Sequence, residues 1–186
     1  MRRSLFRPIP RGTLLDDVYW PLQVAMQRRR VVHDGSAVAY DRLPECPRDE
    51  FRRKVRTLCG NFQLLSLCPA ALLPWRNPVW LQLLSHKFLR LLVPWLLVLM
   101  LVASAGLPGL LYRIAFWGQM GLYVLGLLGM QKDARRWSTL TYAASSLLVL
   151  NSAAWLAFWV WILGRAGGIW TKVTYETPAL EYSQTD

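Results

Sequence analysis

Between Phe51 and Lys132 the sequence contains no aspartate or glutamate. A stretch that long without an acid cannot build an acidic metal cage, a carboxylate pair or the alternating salt bridges of a soluble helical surface. Cysteine is equally scarce. Cys46, Cys59 and Cys68, at spacings of 13 and 9, form neither a metal-ligand pattern nor an even disulfide set, so they read as free thiols in a reducing compartment. His33 and His86 are the only histidines. The first reads as a structural residue on a strand, the second as a headgroup-facing neighbour of Lys87 and Arg90. Asp-x-Asp, a glycine-rich phosphate loop, internal repeats and low-complexity tracts are all absent. The segment from Met1 to Arg11 has charge with no apolar core after it, unlike a cleavable signal peptide.

What is abundant is apolar sequence and positive charge. Residues 1–90 hold 16 of the 22 Lys and Arg but 7 of the 11 acids, within a net charge of +11. Such asymmetry suits an anionic lipid surface or a phosphorylated substrate. Nucleic acid is not an expected partner, because the basic helix is already committed to the membrane surface. Three uncharged runs follow: Leu91 to Ala105, Ile114 to Met130 and Leu140 to Leu163. A bilayer needs about 20 residues of helix, so the third run suffices alone. The first two are expected to form a hairpin around Gly106-Leu107-Pro108-Gly109. Three spans place the basic N-terminal region and the loop with Lys132, Arg135 and Arg136 on the cytoplasmic side. The tail after Gly164 then lies outside, in a multi-pass protein of an inner or plasma membrane.

Ahead of these runs, Thr13-x-x-Asp16 has the spacing of a capping box, with Asp16 and Asp17 at a helix start where the dipole favours acids. Pro21 is acceptable there if it falls in the first turn, and the helix is expected to end near Gln27. Arg30–His33 and Ser36–Tyr40 flank Asp34-Gly35, which is a β-hairpin signal. Leu43-Pro44-Glu45-Cys46-Pro47 reads as a loop. From Asp49, the residues Phe51, Val55, Leu58, Phe62 and Leu65 make one apolar stripe, with Arg52, Arg53 and Arg56 on other faces. That pattern predicts an amphipathic helix in the membrane interface. Pro69–Pro78 is a bend, and Trp80–Arg90 a second interfacial helix.

The order of these elements, above all the acidic pair at residues 16–17, the Val31-Val32-His33-Asp34 strand end and the helix Glu50-Phe51-Arg52-Arg53-Lys54-Val55-Arg56-Thr57, resembles the C-terminal portion of membrane-bound family 2 glycosyltransferases, a group that includes cellulose, chitin and hyaluronan synthases. The resemblance runs from about Arg2 to about Lys172. It implies that Asp17, with Asp16 beside it, is the catalytic base that deprotonates an acceptor hydroxyl. It also implies that Arg53-Lys54-Val55-Arg56-Thr57 stands where the family has Gln-x-x-Arg-Trp, so that Arg53, Lys54, Arg56 and Thr57 bind substrate. Arg56 keeps the guanidinium that suits a diphosphate. Arg53 replaces Gln and Thr57 replaces Trp, which favours addition of one sugar over processive polymerisation. Relatives commonly place Gly where Arg28 stands.

The family's nucleotide-sugar domain, with its Asp-x-Asp and a divalent Mg or Mn, would precede the acidic pair. The sequence itself implies no cofactor and no metal ligands. The expectation is therefore a mainly α membrane protein in four parts: a small α+β remnant of a GT-A-type domain (1–47), amphipathic interface helices (48–90), three transmembrane helices (91–164) and a tail (165–186). It would be inactive without its donor-binding domain. The alternative is a non-catalytic membrane scaffold whose basic face binds anionic lipid or a partner enzyme.

Overall fold

A computed structural model describes residues 3–32, 34–38, 47–130 and 139–166. Six α-helices carry it: α1 (Asp16–Met26), α2 (Pro47–Leu67), α3 (Trp80–Leu83), α4 (Leu89–Gly106), α5 (Leu110–Leu128) and α6 (Thr139–Ile162). Short 3-10 turns lie at Arg3–Leu5 and Pro69–Leu72. Among the described residues there is no strand, so the expected α+β remnant is not seen. Asp34-Gly35 does make a turn, with Asp34 Oδ1 accepting from both the backbone N (3.0 Å) and Oγ (2.6 Å) of Ser36. Val31 and Val32 leave it largely exposed instead of pairing. β-branched residues favour a strand only when a neighbour covers their face, and among the described residues none does. His33, Ala39, Tyr40, the loop with Cys46, the basic loop at 131–138 and the tail from residue 167 lie outside the described residues.

The long runs resolve into two helices long and apolar enough to cross a membrane, Trp80–Gly106 and Thr139–Ile162. The expected count of three spans is thereby corrected. The remaining helix, α5, begins at Leu110 and so takes Arg113 into its first turn, while Gln119 sits at its centre. Its 19 residues are less apolar than either neighbour's. It packs between α4 and α6. Gln119 Nε2 donates to the Leu97 carbonyl of α4 at 2.8 Å, a cross-helix bond of the kind that holds helices together where apolar contact gives no preference. Outward-facing Leu92, Leu96, Leu99 and Val102 on α4 are about half exposed or more. An apolar row of that kind is stable only against lipid or another protein.

Trp80–Gly106 is one continuous helical rod with a single π turn at Leu84–Phe88 between α3 and α4. The bend before it is fixed by Asn77, which is 1% exposed. Its Nδ2 donates to the Ala71 carbonyl at 2.8 Å and its Oδ1 accepts from Val79 N at 3.1 Å.

The stripe on α2 is as expected, but its cover is not a membrane interface. α2 packs most extensively on α6. Leu58 and Cys59 are at most 1% exposed, in one cluster with Ala153, Ala154 and Ala157 of α6. Phe62 stacks on Trp161 (centroids 5.5 Å, planes 18° apart) and meets Phe158 edge-on at 5.6 Å. The small alanines let the backbones approach, and the aromatics fill the space beyond them. The last turns of α6 and the basic helix α2, assigned by charge to opposite sides of the bilayer, are thus in contact. The same cluster extends from Leu14 and Leu22 to Leu91 and Ala153, so the first three sequence parts share one core.

Candidate functional site

The acidic pair opens α1, as its sequence context predicts, but the capping box does not form. Thr13 Oγ1 donates to the Pro10 carbonyl at 2.7 Å, and the N-cap is Leu15, whose side chain cannot cap. Leu15 is held there by packing. Gly60 of α2 is so close that a Cβ on it would lie 2.5 Å from Leu15 Cγ. Gln63 of α2 then brackets the approach, its Oε1 accepting from Leu14 N at 2.9 Å and its Nε2 donating to the Gly12 carbonyl at 2.8 Å. These contacts aim the start of α1, so α2 serves the acidic pair by positioning it.

Asp17 N donates to Asp16 Oδ1 at 3.1 Å, and both carboxylates are exposed. Pro21 stands inside α1, past the first turn in which it was expected. Having no N–H, it cannot bond the carbonyl of Asp17 four residues before it.

Asp16 and Asp17 line a concavity of about 780 Å³ together with Trp20, Pro21, Arg29 and Arg30. Trp20 lies one turn beyond Asp17, and residues three apart share a helix face. Its ring meets Phe6 edge-on at 5.1 Å, and its indole Nε1 is buried without a hydrogen-bond partner. The concavity is therefore lined by two exposed carboxylates, an aromatic ring and two guanidinium groups. Trp20, Arg29 and Arg30 were not singled out as site residues by sequence, although the spacing of Trp20 from Asp17 carried the signal.

Arg28 has φ 56 and bears the left-handed strain that a glycine would avoid. It closes α1 in a Schellman arrangement, with Arg28 N on the Ala25 carbonyl (2.8 Å) and Arg29 N on the Val24 carbonyl (3.2 Å). That turn sends Arg29 and Arg30 back towards the acidic pair's concavity.

The other predicted binding residues are not brought to it. Arg53, Lys54, Arg56 and Thr57 lie on α2 and line neither this concavity nor its neighbour. Lys54 pairs with Glu50 one turn before it, which holds the Glu50 carboxyl below its usual range, and Thr57 Oγ1 donates to the Arg53 carbonyl at 3.0 Å. Among the described residues no group of three or more His, Cys, Asp or Glu side chains is placed to hold a metal ion. The divalent metal implied by the family resemblance belongs, in that resemblance, to the donor-binding domain and not to these residues.

No protein-family model, no curated protein and no solved structure matches this sequence.

Proposed function

We propose that this chain is the acceptor-side, membrane-anchored part of a glycosyltransferase, moving a sugar from a nucleotide-sugar donor to a hydroxyl of a glycan or lipid-linked acceptor. The observation that carries the reading is the company Asp17 keeps. A carboxylate expected to act as base lines a concavity with an aromatic ring suited to a sugar face and two arginines suited to a diphosphate.

In the proposed reaction the Asp17 carboxylate takes the proton of the acceptor hydroxyl as its oxygen attacks the anomeric carbon. The bond from that carbon to the diphosphate oxygen breaks, and the nucleoside diphosphate leaves with the electron pair. Arg29 and Arg30 offset its growing negative charge. Asp16 acts one step back, accepting the Asp17 N–H and so fixing the first turn of α1. The donor-binding domain and its Mg or Mn are supplied by another segment or partner, and the basic face lies on the cytoplasmic side. The scaffold reading has one observation in its favour: Arg52 and Arg53 are exposed and line neither concavity.

The test is transfer of radiolabelled sugar, from a panel of nucleotide sugars, in membranes of cells carrying the gene in its native context. Asp17→Asn is expected to lower transfer by about 10²–10⁴-fold, the usual contribution of a general base, with the protein's level in the membrane unchanged. Undiminished transfer by the Asn variant would sink the catalytic reading and leave the scaffold.

A further inference from the structure

A second concavity of about 1080 Å³ adjoins the first, sharing Pro21 and residues 29–32 with it. One wall is α1 and the arginine turn after it. The other is Pro78, Val79 and the first turns, through Lys87, of the helical rod Trp80–Gly106. Among the described residues its charged and titratable lining is Arg28, Arg29, Arg30, His86 and Lys87, with no acid. Its floor is apolar, with Val18, Leu22, Val79 and Leu83.

Each part of this groove fits one kind of molecule. Three guanidinium groups and an ammonium with no acid among them call for a compact anion, and arginine forks match phosphate oxygens. The apolar floor would be wasted on a free ion but not on a ligand with hydrocarbon attached. A bilayer crossed by Trp80–Gly106 would put headgroups at this level, since the rod that forms one wall continues into α4 with its exposed Leu92, Leu96, Leu99 and Val102. His86 Nδ1 is engaged within its own helix, by Ser85 Oγ at 2.8 Å and the Gln82 carbonyl at 3.2 Å. Arg28 lines the groove from the Schellman turn that closes α1, at φ 56.

We infer that this groove binds the phosphate headgroup of a membrane lipid, with Arg28 and Lys87 on the phosphate and the first carbons of the tail on Val18, Leu22, Val79 and Leu83. The shared boundary then presents a hydroxyl on the outer part of the headgroup to Asp17, which makes a hydroxyl-bearing phospholipid the acceptor class. Only the word acceptor rests on the proposed transfer. Lipid binding is measured without turnover, so its failure leaves that reading standing.

The experiment titrates the purified full chain in dodecyl maltoside with dioctanoyl phosphatidic acid, dioctanoyl phosphatidylcholine and inorganic phosphate. Saturable binding of phosphatidic acid at least tenfold tighter than phosphatidylcholine is expected, with no competition from millimolar phosphate. Arg28→Gly is the informative variant, since it removes the charge and relieves the strain together. It is expected to weaken phosphatidic acid binding about tenfold while the thermal midpoint holds or rises, whereas a merely structural arginine would lose neither affinity nor selectivity. Lys87→Gln is expected to weaken binding likewise. The pair Arg11→Gln and Arg76→Gln, which removes two charges elsewhere, is expected to leave it intact. Equal affinity for the two lipids, phosphate binding as tightly as lipid, or equal losses from the remote pair would each overturn the assignment.

Discussion

Gly129 at the end of α5 lies against Thr141 of α6, so that a Cβ on it would stand 2.8 Å from the Thr141 carbonyl oxygen. One turn earlier Gly126 is as tight, at 2.6 Å from Leu148 Cδ1 and 2.9 Å from the Ala144 carbonyl. Small residues spaced in this way let membrane helices meet along their backbones. Backbone cannot step aside as a side-chain tip can. Gly126→Ala and Gly129→Ala are each expected to cost about 1–3 kcal/mol, read as a lower thermal midpoint in detergent. Gly118→Ala and Gly121→Ala, with open space at the Cβ, are expected to leave the midpoint unchanged or raise it. Equal losses at all four would refute the close α5–α6 contact.

Phe62 is the hinge pin between α2 and α6, 7% exposed and in contact with two aromatic rings. Phe62→Ala is expected to cost about 3–5 kcal/mol, in the range for emptying a buried aromatic site. Were α2 a free interfacial helix, its apolar face would simply sit in detergent and the substitution would barely register. Denaturant unfolding followed by Trp fluorescence distinguishes the two.

How much of this was legible in the sequence depends on what a pattern can encode. The four–three spacing from Phe51 to Leu65 identifies the apolar face of α2, and that face is where it should be. Periodicity says nothing about what covers the face, and α6 covers it instead of lipid. Val31 and Val32 have strand propensity, but a strand needs a partner that the described residues do not supply. The acidic pair at the start of α1 was readable, because it depends on neighbours along the chain, whereas Arg28 stood out only through the family resemblance. The concavity around Asp17 was not, since Arg29 and Arg30 reach it only through the Schellman turn. The count of spans failed at α5, where a run taken to begin after Arg113 in fact encloses it.

Asn77 is the polar lock of the bend that launches the spanning rod. Asn77→Ala leaves the Ala71 carbonyl and the Val79 N–H without their partner, at an expected cost of about 1–3 kcal/mol. Asn77→Asp keeps an acceptor for Val79 N but loses the donor to Ala71 and buries a charge, so it is expected to be the worse of the two. If both variants melt with the native protein, the bend is held by other contacts.

The two described thiols are sensors of whether the α1–α2 core is closed. Burial pushes Cys59 up to about 11 from an ordinary 9.0, and Cys68 upward as well. A raised thiol pKa means the folded state holds its proton more tightly than the unfolded chain. The corresponding stability is therefore full below pH 9 and is lost as pH rises through about 11. The thermal midpoint is expected to fall over that interval, and Cys59→Ala to flatten the fall. Maleimide at pH 7 is expected to leave Cys59 unlabelled until denaturant is added. Rapid labelling of Cys59 in native protein would contradict the packed core.

The stacking of Phe62 on Trp161 also has a consequence for how the chain is made. The ring that covers α2 is encoded about 100 residues after it, which at about 5–20 residues per second is a wait on the order of ten seconds during synthesis. Through that interval the apolar stripe of α2 has no α6 to cover it. Until α6 emerges α2 is an amphipathic helix without its cover, so the aromatic stack that closes this core can form only late in synthesis.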